Sequence, residues 1–148
     1  MKLSKKSRYG LRALIDLAVN FADGPVALSS IAERSGISQQ NLEQVFASLK
    51  KAGIVNSVKG PQGGYTLARL TNEIMVAEII EALEGDYLTS AEEIPKESSY
   101  AAASAVIQEL IIDRVNSQLV SLLKEITMAD LVESYQSRSE FAENMYYI

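Results

Sequence analysis

The sequence predicts a mainly α fold with a small β-wing: a winged helix-turn-helix domain followed by a long helix suited to dimerisation. Three observations predict it. Residues 28–67 read as two short helices across a tight turn, then two short strands across a glycine-rich loop. Basic residues gather in the first half of the chain and acidic ones in the second. A broad apolar stripe at helical spacing runs from Ala101 to about Glu125.

At the start of the chain, Lys2, Lys5, Lys6, Arg8 and Arg12 crowd the beginning of a helix over about Ser7 to Asn20, which is expected to bury Tyr9, Leu14, Ile15, Leu17 and Ala18. Cations at a helix N-terminus oppose the helix dipole, at a cost of roughly a few tenths of a kcal/mol. A phosphate contact from Lys5 and Arg8 gives them a use; a solvated basic start is the plainer reading. Asp23, Gly24 and Pro25 then turn the chain.

In the next helix Leu28, Ile31 and Ala32 share one face, and Ser29 or Ser30 is expected to cap its start. Gly36 suits the left-handed backbone where the helix ends. Ser38 caps a second helix whose Leu42, Val45, Phe46 and Leu49 turn inward. That leaves Gln39, Gln40, Glu43 and Gln44 outward near its N-terminal end. Gln pairs with adenine N6/N7 and Glu accepts from cytosine N4, each good contact giving roughly 1–3 kcal/mol of discrimination. An ordinary solvated helix face has the same composition, and the context of the turn and loop favours the base-reading face.

Beyond Lys50, Lys51 and Gly53, the run Ile54–Val58 alternates apolar and polar side chains, as does Tyr65–Leu67. Lys59, Gly60, Pro61, Gln62, Gly63 and Gly64 form the loop between them, small enough to approach a phosphate backbone or enter a minor groove, with Lys59 as its cation. A nucleotide-binding loop is disfavoured, because the Gly-Lys-Ser/Thr ending is missing and a strand follows. A helix near Met75–Leu83, with Val76, Ile79, Ile80 and Leu83 in one stripe, closes the winged domain, and Gly85 ends it. From Asp86 to about Ser99 the chain reads as an acidic mobile loop.

The long stripe comprises Val106, Leu110, Ile111, Val115, Leu119, Leu122 and Leu123, widened by Ile107, Ile112 and Val120. One small domain does not need so wide a face, so a homodimer is expected, with a bundle inside one chain as the alternative. Thr127 caps a further helix with Asp130 at the reciprocal position, packed down by Leu131 and Val132; from Ser134 the chain is polar until Met145-Tyr146-Tyr147-Ile148.

The net charge of −5 over 148 residues conceals this asymmetry. Residues 1–70 hold ten Lys/Arg against four Asp/Glu, residues 71–148 four against fifteen. Such segregation is the electrostatic footprint of a chain with one DNA-facing part. With neither cysteine nor histidine, the chain lacks the usual general base, thiolate nucleophile, zinc ligands and disulfides. No spacing of the remaining Ser, Lys, Tyr and carboxylates marks an active site, so no enzyme is expected. Without a signal peptide or an apolar run of membrane-spanning length, the chain is expected to be cytoplasmic.

The opening Met1-Lys2-Leu3-Ser4 with Arg8-Tyr9-Gly10, the two helices, and Gly60-Pro61-Gln62-Gly63-Gly64-Tyr65 resemble the bacterial winged-helix regulators that include IscR, NsrR and CymR. The resemblance covers nearly the whole chain. It implies a homodimer on a palindromic operator in double-stranded DNA, probed by Lys5, Arg8, Ser38, Gln39, Gln40, Glu43, Gln44 and the loop Lys59–Tyr65. In IscR-like members the glutamate matching Glu43 is implicated in the choice between promoter classes.

Those members also hold a 2Fe–2S cluster on three cysteines between the domain-closing helix and the start of the long helix. This chain departs from that pattern. Ala105-Val106-Ile107-Gln108-Glu109-Leu110 looks like the family's Cys-Val-Thr-Arg-Glu-Leu, and the best register puts the cysteine-equivalent positions at Ala91, Ala101 and Ala105. Either alanine has been exchanged for ligand cysteines, giving an apo form, or the chain is a natural cluster-free regulator similar to CymR. In both cases no cluster is expected here. The Tyr146-Tyr147-Ile148 ending resembles that of CymR, which implies cysteine synthase as a possible partner.

The expected organisation is a winged helix-turn-helix DNA-binding domain at 1–84, a sensor or cluster-loop region at 85–100, dimerisation helices at 101–134 and a C-terminal tail at 135–148. The implied activity is transcription regulation, most simply repression of iron–sulfur cluster biogenesis genes in a cluster-free state. A cysteine-metabolism repressor is the alternative within the family. A winged-helix protein-docking module, working through its acidic half, is the alternative of another class.

Overall fold

Seven helices and one two-stranded sheet follow each other along the chain in the computed structural model, which describes residues 1–146. They are α1 (Lys5–Asn20), α2 (Leu28–Ser35), α3 (Gln39–Lys51), β1 (Val55–Val58), β2 (Gly64–Leu67), α4 (Val76–Glu84), α5 (Ala101–Ile107), α6 (Asp113–Glu125) and α7 (Met128–Tyr146). The mainly helical fold with a small antiparallel wing is the one the sequence predicts. Apart from the backbone of Tyr146, the ending Tyr146-Tyr147-Ile148 lies outside the described residues.

The principal core gathers α1, α2, α3, the sheet and α4 around the fully buried Leu14, Leu17, Ile31, Leu42, Phe46, Leu49, Ile54 and Ile79. In α1 the buried positions are Ser7, Gly10, Ala13, Leu14 and Leu17, while Tyr9, Ile15 and Ala18 are only half-buried. The expected stripe was therefore off by part of a turn. At Gly10 the helix α4 comes very close: a Cβ there would stand 2.3 Å from Leu83 Cδ1.

Chain segments distant in sequence complete this core. Met128 is fully buried in it, and Leu131 and Val132 pack against it. The chain around Ile74–Val76 pairs with Ile126–Met128: Val76 N–H donates to Ile126 O at 2.8 Å and Met128 N–H to Ile74 O at 2.9 Å. A second cluster, Val76, Ala77, Ile80 and Leu123, joins α4 to α6, with Leu3, Tyr87 and Leu119 at its edge.

Two features of the C-terminal half differ from the sequence reading. The long helix contains a π-turn, Gln108–Ile112, between α5 and α6. In an α-helix residues five apart diverge by about 140°, whereas in a π-turn they are adjacent. The five-residue step from Leu110 to Val115 falls at this turn, which keeps both on one stripe. In addition, α7 runs on to Tyr146 through the stretch read as a tail. Its capping box forms as expected, Thr127 N–H donating to Asp130 Oδ2 at 2.9 Å and Asp130 N–H to Thr127 Oγ1 at 3.1 Å. After Ser134 there is no Gly or Pro to stop the helix. Among the described residues, no helix is long and apolar enough to cross a membrane.

Candidate nucleic-acid interface

The helix-turn-helix is built from local chemistry. Gly36 adopts φ 69° and donates its N–H to Ala32 O at 3.0 Å, closing α2 in the left-handed turn expected of it. Ser38 Oγ accepts from Asn41 N–H at 3.2 Å and caps α3, as expected. The start of α2 differs from expectation. Its N-cap is Ala27, with no side-chain bond from Ser29 or Ser30. The reason lies in the wing: Val26 exchanges two backbone hydrogen bonds of 2.9 Å with Tyr65, which holds the chain extended until Ala27.

Along α3, Leu42, Val45, Phe46 and Leu49 are buried and Gln39, Gln40, Glu43 and Gln44 are exposed, as is Ser38. The pair α2–α3 is fixed to α1 by a two-point ion pair, Arg34 Nε to Asp16 Oδ1 at 2.8 Å and Arg34 Nη2 to Asp16 Oδ2 at 2.9 Å. The hydrogen bond with Asp16 raises the Arg34 pKa further. Arg12 adds a bond from Nη1 to Ser35 O at 3.3 Å and lies 5.7 Å from the Tyr9 ring centroid. Arg12 and Arg34 therefore hold the motif in place, a role invisible in sequence because the partners are 23 and 18 residues away.

The wing pairs Val55 with Leu67, Asn56 with Thr66, Ser57 with Tyr65 and Val58 with Gly64. At its tip Lys59, Gly60, Pro61 and Gln62 are exposed. Gly63 and Gly64 are half-buried against backbone: a Cβ on Gly63 would stand 2.1 Å from Val58 O, and one on Gly64 2.3 Å from Val26 O. Only glycine fits either place. The Tyr65 ring packs on Phe46 with centroids 4.6 Å apart, so its side chain anchors the wing to α3. Pro61, Gln62 and Gly63 face Ala27, Ser30 and Arg34 across a hollow of about 380 Å³.

At the other end of this unit, Lys5 and Arg8 are exposed on the first turns of α1. Lys6 instead donates from Nζ to Ser48 Oγ of α3 at 3.0 Å. Ser4 caps α1, its Oγ accepting from Ser7 N–H at 3.2 Å. Glu84 Oε1 at the end of α4 accepts from Ser4 N–H at 2.8 Å and from Ser7 Oγ at 2.6 Å. Its hydrogen bonds with Ser4 and then Ser7 hold the Glu84 carboxyl below its ordinary value of 4.5. No sequence pattern announces this contact across 80 residues.

Ala91, Ala101 and Ala105 line one hollow of about 510 Å³ between the 86–100 segment and the α5 end of the long helix. Their methyl groups offer no donor atom, and the chain has no cysteine or histidine. Among the described residues no group of three or more acidic side chains is placed to hold a metal ion. The residues present do not fit a 2Fe–2S cluster. Further along, Val106, Ile107, Leu110, Ile111, Val115 and Leu122 are each more than half exposed. Val115, Leu119 and Leu122 line an apolar groove of about 530 Å³.

Comparison with known proteins agrees with this geometry. Residues 3–134 match the model of the Rrf2 family, described as iron-dependent transcriptional regulators. IscR of Xenorhabdus nematophila, an HTH-type transcriptional regulator, is 35% identical over 136 residues, covering 92% of this chain and 82% of that protein. Among solved structures, CymR of B. subtilis, the global cysteine regulator, superposes with a TM-score of 0.74 at 34% identity, covering 90% of this chain and 98% of that one. IscR of T. potens superposes with a TM-score of 0.70 at 38% identity, covering 91% and 88%. The relatives are transcriptional regulators and not enzymes, and this chain belongs to the Rrf2 family of winged-helix transcription regulators.

Proposed function

We propose that the chain is a homodimeric, sequence-specific repressor that binds duplex DNA without an iron–sulfur cluster. The observation that carries this reading is the uncovered polar end of α3, Ser38 to Gln44, beside a glycine-tipped wing bearing Lys59. Two copies of α3 enter successive major grooves of a palindrome, with Gln39, Gln40, Glu43 and Gln44 at base edges, while the wings follow the adjacent minor grooves. Lys5 and Arg8 bind phosphate and fix the register.

The second copy covers the apolar face of α5 and α6. Val106, Leu110, Val115 and Leu122 are each more than half exposed along the long helix, and large exposed apolar faces are rare on monomers. With alanine at positions 91, 101 and 105, regulation does not pass through cluster loading, and the genes under control are those of iron–sulfur cluster biogenesis. One observation favours a second reading, control of cysteine metabolism together with cysteine synthase. The global cysteine regulator CymR is matched over 98% of its length.

Selection of binding sites from a random duplex pool at physiological salt, in the presence of a metal chelator, tests the proposal. Enrichment of a two-fold palindrome with half-sites about one helical turn apart is expected. No enrichment by folded dimer, or enrichment only after cluster reconstitution, overturns it. Capture of purified cysteine synthase decides for the second reading.

A further inference from the structure

The basic start of α1 is not held by its own helix alone. Ser7 is fully buried, and its hydroxyl donates to Glu84 Oε1, the same oxygen that takes the Ser4 N–H. A carboxylate in the last turn of α4 is poorly placed with respect to that helix's own dipole. It gains from standing at the N-terminus of α1, where free N–H groups favour an anion. Lys5 follows the Ser4 cap directly and Arg8 follows Ser7, so each exposed cation is one residue beyond a clamped serine. Lys6 is turned away to Ser48, and Leu3 packs against the α4–α6 cluster. The first turn of α1 is therefore fixed from three sides, and among the described contacts of that turn the side chains of Lys5 and Arg8 alone have no hydrogen-bond or ion-pair partner.

The geometry points to Glu84 as a positioning residue for DNA binding: by joining Ser4 and Ser7 it sets the start of α1 so that Lys5 and Arg8 meet the phosphate backbone together. This inference rests on the DNA-binding reading above. Glu84 touches no DNA itself; its contribution is that two flexible cations are carried on a start that does not fray. The residue after it, Gly85, opens the 86–100 segment, so the anchor of the basic start adjoins the region where the cysteine-equivalent positions lie.

The test uses the full-length dimer and fluorescence anisotropy on the selected palindrome and on a random duplex, over a series of salt concentrations. All variants are compared at a temperature where circular dichroism shows them folded. Glu84→Ala is expected to weaken binding to both duplexes about tenfold and to make the salt dependence shallower by about two units, the loss of one phosphate contact in each half-site of the dimer. Glu84→Gln keeps an acceptor oxygen and is expected to restore most of both. Ser7→Ala, which removes one bond and little volume, is expected to fall between wild type and Glu84→Ala and serves if the latter does not fold. A salt slope in Glu84→Ala or Ser7→Ala equal to that of wild type overturns the positioning role while leaving DNA binding intact. Absence of salt-dependent binding by the wild type overturns the DNA-binding reading itself.

Discussion

On the proposed reading Glu43 and Lys59 would make opposite demands on DNA, and single substitutions separate them. A carboxylate next to phosphates is repelled unless a cytosine amino group satisfies it, so on the proposed DNA-bound arrangement Glu43 would act as a filter. Glu43→Ala is expected to relax specificity more than it weakens binding, seen as a smaller ratio between palindrome and random duplex. Lys59→Ala is expected to weaken both and to reduce the salt slope by about one unit for each wing, about two for the dimer. Equal losses on both duplexes for the two variants contradict these roles. Acid stability also belongs to single residues. Glu78 is held below its ordinary pKa of 4.5 by its hydrogen bond with Arg69 Nη2, 2.8 Å away, and Glu84 by Ser4 and Ser7. A depressed folded-state pKa contributes stability that is complete above the unfolded value and is lost as pH falls through the folded one. Melting temperature is therefore expected to fall with pH below about 4.5, and less so in Glu78→Gln and Glu84→Gln; parallel curves for wild type and variants contradict this.

The wing is the element on which the most depends for its size. Its two strands are four residues each, too short to stand alone, and they hold through the Val26–Tyr65 bridge and the Phe46–Tyr65 contact. Gly64→Ala puts a Cβ against the Val26 carbonyl, which cannot move without breaking the bridge. A loss of roughly 2–3 kcal/mol in urea unfolding is expected, as for other overpacked backbone sites. A change under 0.5 kcal/mol would show that the wing is not docked as described. Elements of this kind were legible in sequence where periodicity and turn residues carry the signal: α2, α3, α4, the strands, Gly36 and the Ser38 cap. The start of α2 was not legible, because Ala27 is held by a strand that lies about 40 residues downstream. The helical course of α7 beyond Ser134 escaped for the opposite reason: a helix exposed on nearly all sides has no apolar period to read.

At the scale of the molecule, the first 84 residues do not close their own core. Met128, Leu131 and Val132 return to it from beyond the long helix, and Ile126–Met128 pair with Ile74–Val76. The alternation of helices and strands shows the class of fold, but a return over some 50 residues leaves no local trace. The candidate interface divides in the same way. Outward polar residues on α3 and the cation of the wing tip could be found from spacing, while the Glu84 clamp and the Arg34–Asp16 brace could not. The exposed stripe on α5 and α6 makes one prediction at this scale. Leu122→Glu and Val115→Glu place charge on the proposed dimer face and are expected to give monomers by sedimentation, with DNA affinity reduced at least tenfold through loss of the second half-site. Dimers of wild-type stability in both variants place the interface elsewhere.

The central claim, that α3 reads a major groove while the wing follows a minor one, is tested most directly by dimethyl sulfate interference on the selected palindrome. The reagent marks guanine N7 in the major groove and adenine N3 in the minor. The account predicts guanine interference in two patches about one helical turn apart, one per α3, with adenine interference flanking each where the wings lie. Interference confined to adenines, or absent from both grooves in a complex that still forms, would contradict it.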